Sequence, residues 1–162
     1  MRRLLAYLAP GRDAAGTIYG TIVTGSTIAA GSEGTHHALE LAATVVVTVA
    51  LYWMAHAYAE VLGHSQARVL SWTETRREFF AEWRMVAACI LPLAVLMVAT
   101  MLGASFETAT SLALWFAAGL LFVWGLAAAQ RANLSAAGAI LSALVYTALG
   151  VAIVVLKLVF AH

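Results

Sequence analysis

The chain has a single cysteine, Cys89, so it holds no disulfide framework and no thiolate metal cluster of its own. Charge is nearly as scarce. Asp, Glu, Lys and Arg make up 10% of the residues while 63% are hydrophobic, a balance that no soluble domain of 162 residues keeps in water. The basic residues gather in a few segments instead of forming a surface that could neutralise phosphates, and nucleic acid is excluded as an expected partner. There is no GxSxG, P-loop, CxxC or HExxH, which leaves hydrolase, nucleotide-driven and redox readings without a motif. No internal repeat is visible, and the chain is too short for a bundle plus a separate soluble domain.

What the sequence does have is long apolar runs. A hydrocarbon core about 30 Å thick is crossed by about 20 helical residues rising about 1.5 Å each. Residues 39–62, 84–103, 109–129 and 134–160 meet that length. Residues 14–31 are long enough but carry Thr17, Thr21, Thr24, Ser26 and Thr27, hydroxyls that can bond back to their own helix and so are tolerated in lipid. The sequence therefore predicts an all-α, polytopic membrane helical bundle of about five transmembrane helices, a single domain over residues 1–162. The basic opening Met1-Arg2-Arg3 precedes an apolar stretch too short for a signal-peptide core, so the segment is expected to stay in the mature protein.

Arginine placement predicts the orientation. Arg2, Arg3 and Arg12 precede the first run, Arg68, Arg76, Arg77 and Arg84 lie between the second and third, and Arg131 lies between the fourth and fifth. With five spans all three groups fall on one side, which the positive-inside rule makes cytoplasmic. The opposite loops carry Glu33, Glu40 and Glu107, and Lys157 is the exception, near enough to a helix end to snorkel. The expected topology is multi-pass in a bacterial-type plasma membrane, N-terminus in and C-terminus out. In residues 65–83, Val69, Leu70, Trp72, Phe79, Phe80 and Trp83 recur near helical spacing among Arg and Glu, the pattern of a cytoplasmic interfacial amphipathic helix. Gly16 with Gly20, and Gly138 with Ser142, are small-residue pairs at the spacing of close helix crossings. Pro92 falls near the middle of the third run and predicts a kink there.

The second run carries the chemistry. Every fourth residue from the outer loop is polar: His36, Glu40, Thr44, Thr48, Tyr52, His56, Glu60 and His64, with mostly Ala, Val and Leu between. Steps of four advance 400°, so the row is a slowly drifting seam whose neighbours lie together. Ionisable groups at membrane depth face a bundle interior or water and mark ion and proton routes. His56, Glu60 and His64, one turn apart, suit a proton relay, and the same trio could instead ligate a divalent metal. A purely structural seam, with His56 as polar glue, competes with both. His36, His37 and Glu40 would form the pathway mouth. Thr17, Tyr19, Thr21 and Thr24 of the first helix are candidates for an opposing polar wall.

The leading expectation is a small membrane channel or transporter for protons or small cations. Thr44, Thr48, Tyr52, His56, Glu60 and His64 would line its pathway, with the bilayer and further copies of the same chain as partners. A non-catalytic membrane partner or assembly subunit is the first alternative. A metal-dependent membrane enzyme acting on a lipophilic substrate is the second, disfavoured because the other helices offer almost no ligands.

Overall fold

A computed structural model describes residues 14–65 and 83–160, some side chains near helix ends excepted. The elements are α1 (Ala14–Gly31), α2 (Ala38–Ser65), α3 (Trp83–Ala87), α4 (Ile90–Met101), α5 (Phe106–Arg131) and α6 (Ala136–Phe160). No strand occurs among the described residues, and the all-helical membrane bundle expected from composition is what the chain forms. Four helical stretches, 38–59, 83–101, 106–131 and 136–155, are long and apolar enough to cross a membrane. The 18 residues of α1 rise about 27 Å, close to one hydrocarbon core, but with more hydroxyls than the other four. The amphipathic helix expected over 65–83 falls almost wholly outside the described residues.

Two connections are built alike. Gly103 (φ 86°) and Asn133 (φ 52°) adopt the left-handed conformation just past the ends of α4 and α5. There Ala104 N–H donates to the Ala99 carbonyl at 3.0 Å and Leu134 N–H to the Ala129 carbonyl at 3.1 Å, closing the last turns as a Schellman motif does. Two residues further on, Ser105 and Ser135 cap the next helix, accepting from the Thr108 N–H at 3.2 Å and the Gly138 N–H at 3.3 Å. Each helix end thus satisfies its own orphan groups, which lets the chain reverse direction tightly.

The break in the third apolar run lies upstream of its proline. Pro92 has no N–H for the Ala88 carbonyl four residues back, and its ring crowds that carbonyl. The helix duly gives way at Ala88 and Cys89, between α3 and α4, where Cys89 N–H turns to the Val86 carbonyl at 3.2 Å. The predicted kink is therefore present, nearly a turn before the residue that causes it. At this break α1 comes closest: a Cβ on Gly20 would run into the Met85 carbonyl oxygen. Of the pair Gly138 and Ser142, only Ser142 lies at a close crossing. Gly138 meets its own neighbours Leu134 and Ser135, and the crossing of α5 on α6 is made by Gly125 against Ala143 and the Ser142 carbonyl and by Gly150 against Ala118.

α5 is the central helix, packed on α1, α4 and α6, with 44% of its span buried. One core cluster gathers Ile28, Leu41, Val45, Met85, Leu96 and Leu114; a second joins Ile18, Leu121 and Trp124. α2 stands at the edge with only 17% of its span buried, tied to α3 by the edge-on contact of Trp53 and Trp83 at 5.7 Å.

Lys157 reaches toward the start of α5. Its Nζ donates to Thr110 Oγ1 at 2.9 Å, and the Thr110 hydroxyl donates in turn to the Glu107 carbonyl at 3.0 Å. Thr110 is fully buried, and the negative charges of Glu33 and Glu107 act on the same ammonium. This chain joins α6 to α5 at one end of the bundle. A double-mutant cycle of Lys157→Met with Thr110→Val, read by thermal unfolding in micelles, is expected to return a coupling of about 1.5 kcal/mol. That is the lower range for a hydrogen bond to a charged group, because Lys157 is only half-buried. Additive effects would refute the link.

Candidate functional site: a groove between the first two helices

In α2 the row that begins at Thr44 faces α1. Thr44, Thr48 and Tyr52 line one wall of a groove of about 620 Å³, and Tyr19, Ser26 and Thr27 line the other with Ile22, Val23 and Ala30. The two walls meet in an aromatic cluster. The ring of Tyr19 lies 6.3 Å from Tyr52 and stacks on His56 at 6.4 Å with 21° between planes. His56 continues the row beyond the tyrosines and is exposed at the flank of the bundle.

The α1 wall differs from expectation. Tyr19 takes part, but Thr17, Thr21 and Thr24 are buried on the opposite face of the helix. Thr21 donates to the Thr17 carbonyl at 2.8 Å and Thr24 to the Gly20 carbonyl at 2.7 Å, so their hydroxyls are spent on their own backbone. At 100° per residue, positions 19, 22, 23, 26, 27 and 30 form one face and 17, 21, 24 and 28 the other. The second face packs on the core because Ile28 and Ile18 belong to it or border it. Ser26 and Thr27 had no part in the expected wall, although seven- and eight-residue steps from Tyr19 lead to them. Thr27 donates to the Val23 carbonyl at 2.8 Å and Thr44 to the Glu40 carbonyl at 3.0 Å, so these hydroxyl hydrogens are used within their own helices while each oxygen keeps acceptor capacity.

At the mouth, the three expected residues do not converge. His36 packs edge-on against Phe106 at 6.2 Å, at the start of α5. The Glu40 carboxylate accepts from the Thr35 hydroxyl at 2.6 Å while Thr35 accepts from the His37 N–H at 3.2 Å, an arrangement that organises the first turn of α2. His37 is exposed. The side chains of Glu60 and His64, needed by both the relay and the metal readings, lie outside those described. Among the described residues no group of three His, Cys, Asp or Glu side chains is placed to hold a metal ion.

The groove is open along one flank of the bundle, and most of its exposed lining is apolar, with the hydroxyl-bearing side chains set among Ile22, Val23 and Ala30. The chain matches no family model, no curated protein and no solved structure.

Proposed function

We propose that the chain is one subunit of a small membrane channel or transporter for protons or small cations, with the pathway running along the α1–α2 groove. The observation that carries this reading is the convergence of Thr44, Thr48 and Tyr52 with Tyr19, Ser26 and Thr27 into one groove that leads to His56. Hydroxyl oxygens replace part of a cation's hydration shell, and tyrosine and histidine pass protons along a hydrogen-bonded chain of water. In this reading α1 is the fifth span and the arginine-bearing ends are cytoplasmic. Because one chain leaves the groove open sideways, a second copy of the chain closes it.

Liposome flux tests the proposal. Vesicles containing the wild-type protein are expected to dissipate an imposed proton or cation gradient, and the double variant His56→Ala, Glu60→Gln is expected to return the rate of empty vesicles. Unchanged flux in that variant would defeat it.

The edge position of α2 favours a second reading. Val47, Leu51 and Tyr58 are 58%, 56% and 63% exposed, an apolar flank available to another membrane protein. A non-catalytic assembly subunit would conduct nothing, while crosslinkers on α2 would capture a different protein.

A further inference from the structure

Away from the groove, at the end of the bundle that carries Arg84 and Arg131, two buried donors lack an acceptor. Arg84 Nη1 and Trp124 Nε1 are both buried and have no hydrogen-bond partner among the described residues. They border the same cavity, together with Thr17, Ala88, Leu91 and Leu120. Trp124 is 9% exposed, held in the core beside Ile18 and Leu121, and its ring forms part of the cavity wall. Arg84 is half-buried, but a buried N–H of a charged guanidinium without an acceptor is costly, and a buried indole N–H almost always finds a partner.

The chemistry of the missing partner follows from what the two donors lack. It has to accept from both, and it has to bring negative charge for Arg84. A water accepts two bonds and can donate one to the Thr17 hydroxyl, but it carries no charge for Arg84. A phosphate oxygen accepts, carries charge and needs no acceptor. The cavity is about 20 Å³, room for one oxygen and not for a whole phosphate, so the remainder of such a ligand stays at the mouth. Trp83 and Arg84 open an apolar span, the position at which aromatic and basic residues meet lipid headgroups. Leu91 and Leu120 continue the cavity wall as an apolar surface suited to an acyl chain.

We propose that this cavity seats a phosphate oxygen of an anionic phospholipid from the leaflet at the arginine-bearing end, with Arg84 and Trp124 as its donors and Leu91 and Leu120 against its acyl chain. The site is separate from the α1–α2 groove and does not depend on what that groove conducts.

Native mass spectrometry of the purified protein, titrated with phosphatidylglycerol, phosphatidylcholine or inorganic phosphate, tests this. Phosphatidylglycerol is expected to bind about tenfold tighter than phosphatidylcholine, because both offer the accepting phosphate oxygen but the choline ammonium cancels the headgroup charge and repels Arg84. Arg84→Gln is expected to remove that preference, and Trp124→Phe, which keeps the ring and loses only the N–H, to weaken binding about threefold. Arg131→Gln, an equal loss of charge on the same end, is expected to bind as wild type does. Equal binding of the two lipids would overturn the proposal, as would wild-type preference in both Arg84→Gln and Trp124→Phe. Inorganic phosphate binding as tightly as phosphatidylglycerol would also overturn it, by showing a site for the free ion. Should Arg84→Gln not fold, the Trp124→Phe titration decides alone.

Discussion

Gly20→Leu is expected to abolish recovery of folded, monodisperse protein. At Gly20 the backbone of α1 lies against the break between α3 and α4, and any Cβ there meets the Met85 carbonyl oxygen, with Ala88 Cβ 3.0 Å away. A carbonyl is backbone and cannot swing aside as a side-chain tip does, so α1 has to move as a body. That movement would strip Thr21, Thr24 and Ile28 from the core. Overpacking a fitted interior costs about 1–3 kcal/mol per site, and a leucine here is expected to reach or exceed the upper figure. The informative contrast is between alanines: Gly20→Ala is expected to lower the unfolding temperature in micelles clearly. Gly119→Ala, where nothing stands within 4 Å, is expected to be neutral or to stabilise by up to about 1 kcal/mol through helix propensity. Equal effects at the two glycines would mean that α1 does not pack on the α3–α4 break as described.

The helices themselves were legible because bilayer-length apolar runs are a one-dimensional signal: 39–62, 109–129 and 134–160 each find a helix. Pro92 was legible as a kink, and displaced in position, because a proline acts on the carbonyl four residues before it and the seam falls at Ala88–Cys89. The crossing points were not legible in the same way. Gly16-Gly20 and Gly138-Ser142 look alike as spacings, yet Gly20 meets a backbone and Gly138 meets only its own turn. A chain this rich in Gly and Ala offers many such pairs, and only the packed partner selects among them. Lys157 shows the same limit. Its place near a helix end was legible, whereas its partner Thr110 is 47 residues away and leaves no local mark.

At the candidate site, the period-four row on α2 was readable because one helix generates it. The opposing wall depends on how α1 is rotated, and that is decided by Ile18 and Ile28 entering the core rather than by its threonines. Choosing the threonines as the wall treated hydroxyls as equivalent, whereas Thr17, Thr21 and Thr24 are buried and Ser26 and Thr27 face the groove. Arg84 and Trp124 were invisible as a pair, since each has an ordinary interfacial or packing role when read alone and only the fold sets them around one cavity.

Thiol labelling along α2 is expected to separate a wetted groove from a lipid-facing seam. Thr48 is half-buried in the groove midway along the row, while its neighbour Val47 is 58% exposed and lies outside the groove lining. Cys89, the one native thiol, is 3% exposed, and Cys89→Ala gives a background with none. A permanently charged methanethiosulfonate reaches a thiol at depth only through water, because charge in the hydrocarbon core costs about 2.5 kcal/mol or more. T48C is therefore expected to label at least about tenfold faster than V47C in vesicles, and the attached cation to block flux through repulsion and bulk. If a second copy closes the groove, oxidation of T48C also yields a disulfide dimer, because the two grooves then face each other across a twofold axis. Equal labelling at the two positions would leave Thr44, Thr48 and Tyr52 in lipid, and their hydroxyls would then be structural groups that bond to their own helix.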